Sequence, residues 1–129
     1  MIGGNAMSLY AFENDIIRKL KESRVHFALN CSAISCPALP RVPFIAANLN
    51  SELDRETRQF FARPHNLRID AATRTVHFNE ILKCCTEDFA PSHASSPIAY
   101  VRRYAPFEIP TDYAMAFTPY DWTIANSQR

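Results

Sequence analysis

Glycine most restricts the folds open to this chain, because its only two glycines are Gly3 and Gly4. Phosphate-cradling loops and dinucleotide-binding fingerprints need several glycines so that the backbone can approach the pyrophosphate. The nucleophile elbow of Gly-x-Ser-x-Gly hydrolases needs glycines beside its serine. None of these motifs can form after position 4, so we do not expect nucleotide-dependent chemistry or a serine hydrolase of this type.

Length and composition predict one soluble domain over residues 1–129. The hydrophobic share is 47% and the charged share 21%, which is typical of globular proteins. The net charge is only +1 and the densest basic cluster is Arg102-Arg103, so nucleic-acid binding is not expected. No stretch approaches the roughly 18 apolar residues of a membrane span, and no targeting segment is recognisable.

Residues 8 to 22 are expected to form an amphipathic helix capped by Ser8. Apolar side chains recur along one side at helical spacing: Leu9, Phe12, Ile16, Ile17 and Leu20. Glu13 lies near the middle of this stripe, where its carboxylate either reaches solvent at the rim or is buried with a partner. We predict that Glu13 is at least partly buried and bonded to a side chain from residues 24 to 36.

Residues 24 to 31 are expected to form a strand, in which alternate side chains point to opposite faces. Val25, Phe27, Leu29 and Cys31 would then face the core, and His26 and Asn30 a more polar surface or cleft. Residues 32 to 45 contain Pro37, Pro40 and Pro43, which predicts an irregular loop.

The rest of the chain alternates between helix and strand patterns. We expect a helix over 47 to 62, a hairpin pairing the segments around 67–69 and 76–78, and short helices over 80 to 88 and from Ser96 onward. A last strand is expected over 113 to 118. The fold class is therefore α+β, a small mixed sheet with a β-hairpin flanked by about four helices.

Four cysteines stand at positions 31, 36, 84 and 85. Their spacing matches neither common zinc sites nor Cys-x-x-Cys redox centres, so we expect no metal and no cofactor. A disulfide between Cys31 and Cys36 is sterically feasible and would depend on the compartment. Cys84 and Cys85 are adjacent on a helix and cannot easily pair with each other.

An enzymatic hypothesis uses Cys36 as nucleophile and His26 as its base, with Glu13 or Asn30 orienting the imidazole. Under reducing conditions Cys36 should then react with an alkylating reagent faster than Cys31 or Cys85. The strand alternation shields Cys31, and the helical spacing shields Cys85. Cys36 lies in the proline-rich loop without such cover.

The central segment carries a family resemblance. Residues 24 to 39 read Arg-Val-His-Phe-Ala-Leu-Asn-Cys-Ser-Ala-Ile-Ser-Cys-Pro-Ala-Leu. This resembles the domain-of-unknown-function 547 family, which typically reads Arg-x-His-Phe-Ala-Leu-x-Cys-x-x-x-Ser-Cys-Pro-x-Leu here. The helices on either side and Asp121-Trp122-Thr123 also look like family elements, so the resemblance spans about residues 3 to 126.

The chain departs from the family pattern in three places. The family's upstream segment, Phe-Trp-x-Asn-x-Tyr-Asn, has no counterpart, so the chain is expected to lack part of the family domain. Cys84-Cys85 replaces the Trp-Tyr that precedes the Glu/Asp-Phe element, here Glu87-Asp88-Phe89. The His that follows the family's Glu is Asn14 here.

The resemblance implies a soluble domain of unassigned activity. Such domains occur in exported bacterial proteins and, in plants, beside a coiled coil in proteins linked to partner binding. The His followed by a distant Asp-Trp is also similar to transglutaminase-like and papain-like domains, although likeness of fold does not transfer chemistry.

Two functions therefore stand open. The first is a binding module for a protein or peptide partner, in which His26, Cys31 and Cys36 organise a pocket or a strand-loop junction, with Arg24 and Asn30 as further binding residues. The second is a thiol hydrolase or acyltransferase that uses Cys36, His26 and Glu13. The separation of Cys36 and His26 distinguishes them, because a nucleophile and its base must lie within about 4 Å.

Overall fold

The structure, a computed structural model, describes residues 3–90 and 94–126. It is an α+β fold with a three-stranded mixed sheet, as expected. The helices are α1 (Leu9–Ala11), α2 (Leu49–Phe61), α3 (Ile81–Cys84), α4 (Thr86–Phe89) and α5 (Pro97–Arg102). The strands are β1 (Leu67–Asp70), β2 (Thr75–Asn79) and β3 (Ala114–Thr118).

The predicted first helix is present, but its apolar side chains do not form one continuous stripe. Ser8 caps it through its hydroxyl, which accepts from the Ala11 N–H at 3.0 Å. After α1 the chain continues as a π-helix, Phe12–Ile17, and a 3-10 helix, Arg18–Leu20. These turns hold different numbers of residues, so side chains spaced for an α-helix do not stay on one face. Leu9 and Leu20 are 80% and 71% exposed.

The predicted strand over 24–31 is wrong, because Ser23–Phe27 is a 3-10 helix. Its N-cap is Glu22, whose carboxylate accepts from the Arg24 N–H at 3.1 Å. Three residues per turn place Ser23 and His26 on the same side, and both are buried. The local cap and the packing of this helical face override the alternating apolar pattern.

The hydrophobic core gathers around Phe27, which lies on that 3-10 helix. Its ring centroid is 4.9 Å from that of Phe60 and 5.0 Å from that of Phe61, both on α2. Phe89 of α4 and Tyr100 of α5 complete the aromatic cluster. The predicted helix over 47–62 is thus confirmed as α2 and supplies one wall of the core.

The predicted hairpin and last strand are also confirmed. β1 and β2 pair antiparallel, with Leu67 opposite Phe78. β3 then adds to β2 in parallel, with Phe78 opposite Phe117. The sheet order is therefore β1-β2-β3, with both directions of pairing in one small sheet.

Two short helices follow β2 where one was expected. The chain breaks between α3 and α4 at Cys85, whose backbone (φ −130°, ψ 38°) is not helical. Leu82 and Phe89 are buried, and Cys85 is half-buried. α5 begins as predicted: the Ser96 hydroxyl accepts from the Ala99 N–H at 3.3 Å, and Pro97 occupies the first turn.

Residues 32–45 form neither helix nor strand, as the prolines predicted. Their first part is held by the C-terminal segment, since Ala33 forms an isolated antiparallel bridge with Ile124. The Ile34 N–H donates to the Thr123 carbonyl at 2.8 Å, and the Ala125 N–H donates to the Ser32 carbonyl at 2.7 Å. These bonds bring residues 120–126 beside Cys31 and Cys36.

None of the helices in residues 3–90 and 94–126 has the length and apolar character needed to cross a membrane.

Candidate functional site

Cys31 and Cys36 form a close pair of free thiols. Their sulfurs lie 2.7 Å apart, and the backbone N–H of Cys31 donates to the Cys36 sulfur at 2.7 Å. The turn that closes the pair is secured by a hydrogen bond from the Cys36 N–H to the Ala33 carbonyl at 3.1 Å. Two cysteines that lie five positions apart in the sequence thus form one dithiol.

The exposure of the two thiols is the reverse of the expectation. Cys36 is 3% exposed and Cys31 is exposed. Cys31 follows the 3-10 helix rather than a strand, so no pleat turns it inward. Asn30 holds the turn by donating to the Pro37 carbonyl at 2.6 Å and accepting from the Ser32 N–H at 2.9 Å. Ser32 has a left-handed backbone, with φ of 63°.

Tyr120 is a member of this site that the sequence did not reveal. Its hydroxyl lies 3.3 Å from the Cys31 sulfur, and its backbone N–H donates to Glu80 Oε2 at 3.1 Å. Its ring packs against Trp122, with centroids 4.5 Å apart. The neighbouring residues 121–123 resemble the family's closing segment, but this resemblance does not predict that Tyr120 contacts Cys31.

The surroundings shift the pKa values of the two thiols in opposite directions. Burial alone would raise the pKa of Cys31, but hydrogen bonds from Cys36, Tyr120 and the backbone outweigh it and lower that pKa. Burial raises the pKa of Cys36, and so does its neighbour Cys31. Burial also raises the pKa of Tyr120, which stays a hydrogen-bond donor. When the pair loses one proton, the thiolate therefore lies on the exposed sulfur, Cys31.

His26 belongs to a different cluster. Its Nε2 donates to Asp88 Oδ2 at 2.8 Å, and the same carboxylate oxygen accepts from Arg18 Nε at 2.7 Å. A second guanidinium nitrogen of Arg18 pairs with Glu87 at 2.7 Å. Burial alone would raise the pKa of Asp88, but hydrogen bonds from Arg18 and His26 outweigh it, so the pKa lies below its usual range. Asp88, rather than Glu13 or Asn30, orients the imidazole.

The structure does not join His26 to Cys36. The imidazole contacts Asp88 and packs against the Phe89 ring at 5.3 Å, whereas the Cys36 sulfur contacts Cys31 and lies 3.7 Å from the Leu29 carbonyl. No hydrogen bond connects the imidazole to this thiol. The contact between nucleophile and base that a thiol hydrolase needs is not formed.

Three potential metal ligands converge beside His26. The donor atoms of His26, Cys85 and Asp88 all lie within 4.8 Å of one another. Burial raises the pKa of the Cys85 thiol to about 11, so a metal would have to displace its proton. It would also compete with the Arg18 guanidinium for Asp88. In this structure Asp88 is therefore occupied by an ion pair with Arg18 and a hydrogen bond from His26.

The other two predicted site residues lie elsewhere. Arg24 bonds Glu22 at 2.6 Å, Asp54 at 2.9 Å and the Asn50 carbonyl at 3.2 Å, which ties the 3-10 helix to α2. Glu13 is half-buried as predicted, but its carboxylate bonds no side chain of residues 24–36, so that part of the prediction is wrong. The π-helix turns it away from the expected α-helical position.

A groove of about 650 Å³ opens beside the dithiol. Residues 37–42 form one wall, and Arg55, Glu56, Gln59 and Arg63 of α2 and the turn after it form the other. Asn30 also lines this groove. Sequence reasoning did not find it, because the proline-rich segment and α2 meet only in the folded chain.

Comparison with curated proteins and with solved structures gave no match. One family model matches, over residues 1–61. The matched segment includes His26, Cys31, Cys36 and the whole of α2. The resemblance found in the sequence is therefore confirmed over residues 1–61, which match the model of the family described as "Protein of unknown function, DUF547".

Proposed function

We propose that this domain is a binding module whose groove receives an acidic, extended segment of a partner protein. The observation that carries the proposal is the charge of the groove walls. Arg41, Arg55 and Arg63 line it together with one carboxylate, Glu56. Such an excess of guanidinium groups favours a ligand that carries carboxylates.

Not all charged side chains of the groove are paired within the chain. Glu56 is buried and bonds Arg55 at 2.8 Å, so these two charges offset each other. Arg41 and Arg63 pair with no acidic side chain among the described residues. Two guanidinium groups on opposite walls thus remain available to a ligand.

The proline-rich wall offers apolar contacts as well. Leu39 is 74% exposed and Val42 is 52% exposed. Pro37 and Pro40 restrict the backbone of this wall, so less conformational entropy is lost when a ligand binds. A segment in which acidic and apolar residues alternate therefore matches the groove in both charge and surface.

The test uses labelled peptides in which Asp or Glu alternates with Leu, and matched peptides with Lys in place of the acidic residues. Fluorescence anisotropy should show binding of the acidic peptides only, weakened by added salt. Arg41→Ala and Arg63→Ala should each weaken binding by about two- to fivefold, the value of an exposed ion pair. Arg103→Ala, which changes an exposed arginine outside the groove, is the matched control. Equal binding of acidic and basic peptides would overturn the proposal.

The hydrolase alternative has less support. His26 bonds Asp88 and Cys36 bonds Cys31, so the dyad that this chemistry requires is not assembled. No other observation favours acyl transfer.

A further inference from the structure

We infer that Cys31 and Cys36 form a thiol–disulfide exchange site that reacts with small-molecule disulfides. Cys31 would be the attacking thiol and Cys36 the resolving thiol. The inference does not depend on the groove or on its ligand, because it is carried by the geometry of the dithiol alone.

The first support is the unequal exposure of two sulfurs that touch. Cys31 is open to solvent, whereas Cys36 is 3% exposed. Within the pair, a disulfide arriving from solution can therefore reach only Cys31. The buried sulfur is already 2.7 Å from it, so the second thiol is in place before the first reaction occurs.

The second support is the set of donors around Cys31. The Tyr120 hydroxyl lies 3.3 Å from its sulfur, and the Cys36 thiol lies against it. Both can donate a hydrogen bond to a Cys31 thiolate, and a thiolate is the form that attacks disulfides. Tyr120 acts here as a positioning residue, because it is not consumed in the exchange.

The third support is the small movement that closure needs. A disulfide bond is about 2.05 Å long, so the two sulfurs must approach by less than about 1 Å. The turn between them is already held by Asn30 and by the bridge between Ala33 and Ile124. Closing the bond requires no rearrangement of the core.

The reaction balances with a disulfide of a small thiol, R–S–S–R, as oxidant. The Cys31 thiolate attacks one sulfur, a Cys31–S–S–R bond forms, and R–S⁻ leaves and takes up a proton. Cys36 then loses its proton and attacks the Cys31 sulfur, which releases the second R–S⁻. Two protein thiols are oxidised to one disulfide, and one R–S–S–R is reduced to two R–SH.

The experiment incubates the folded chain with oxidised glutathione and follows each cysteine by peptide-resolved mass spectrometry. The wild-type chain should form the Cys31–Cys36 disulfide. Cys36→Ser, and independently Cys36→Ala, should accumulate glutathione on Cys31 because the resolving thiol is missing. Circular dichroism establishes that each variant is folded, and two replacements of different polarity guard against one failing to fold.

Cys84 is the matched control, because it is also exposed and lies outside the site. In the wild-type chain Cys31 should react with oxidised glutathione severalfold faster than Cys84. Equal rates at Cys31 and Cys84 would overturn the inference, since exposure alone would then explain the reaction. Failure of both folded Cys36 variants to trap glutathione on Cys31 would overturn it as well.

Discussion

Single hydrogen bonds decide the chemistry of both clusters. Tyr120 and Cys36 favour a thiolate on Cys31, and Arg18 and His26 favour a carboxylate on Asp88. Each effect opposes burial, which by itself favours the uncharged form. Removing one donor is therefore the most direct test of each site.

Tyr120→Phe removes the hydroxyl beside Cys31 and keeps the ring that packs against Trp122. We expect the pH midpoint of Cys31 alkylation to rise, because the thiolate loses a donor. The measurement is the alkylation rate of Cys31 as a function of pH, with Cys84 as internal reference. An unchanged Cys31 profile would show that Tyr120 does not stabilise the thiolate.

Asp88 makes the stability of the fold depend on pH. Folding lowers the pKa of Asp88. Its contribution to the free energy of unfolding is therefore fully present above the ordinary Asp pKa of about 3.9, and it is lost as the pH falls through the lower pKa of the folded state. At neutral pH Asp88→Asn should lower the free energy of unfolding by about 1.5–3 kcal/mol, the range for hydrogen bonds to charged groups. Urea unfolding should show this difference shrinking below about pH 4. A difference that stays constant down to low pH would contradict this account.

The 3-10 helix Ser23–Phe27 places His26 and Phe27 inside the fold, and Arg24 ties it to α2. The Arg24 side chain is 14% exposed, and its guanidinium bonds Glu22 and Asp54. This arrangement gives each residue of the Arg-x-His-Phe pattern a structural place: Arg24 anchors the element, His26 bonds Asp88, and Phe27 enters the core.

Arg24→Ala should therefore destabilise the element rather than impair binding directly. We expect the free energy of unfolding to fall by about 1–3 kcal/mol, since Glu22 and Asp54 lose a charged hydrogen-bond donor. Chemical denaturation measures the change, and Arg103→Ala should have an effect within about 0.5 kcal/mol. Equal effects of the two variants would show that this anchor adds nothing to stability.

The molecule as a whole depends on the aromatic cluster around Phe27. Phe27 is 1% exposed and touches rings from α2, α4 and α5. Phe27→Ala should lower the free energy of unfolding by about 3–5 kcal/mol through lost burial and the cavity left behind. Leu9→Ala, at a side chain 80% exposed, should change it by less than about 0.5 kcal/mol. Thermal unfolding compares the two, and a similar loss in both would refute the central place given to Phe27.

Patterns that depend on near neighbours in the chain were predicted well. The hairpin of β1 and β2, the length of α2 and the cap at Ser96 all follow from local rules of alternation, helical spacing and capping. The same rules failed at residues 24–31. There a strand-like alternation was overridden by the Glu22 cap and by packing of Ser23 and His26 into the interior.

The amino-acid sequence by itself determined the α+β class, most helix and strand positions, the irregular proline-rich loop and the segment that marks the family. These depend on backbone preferences and on the period of apolar residues, which are local properties. Only the tertiary structure decided which chemical groups meet: Cys31 with Tyr120, 89 positions apart, and His26 with Asp88, 62 positions apart. It also decided that Cys36 is buried and Cys31 exposed. Such contacts are set by how distant elements pack, and neither spacing nor composition encodes that distance.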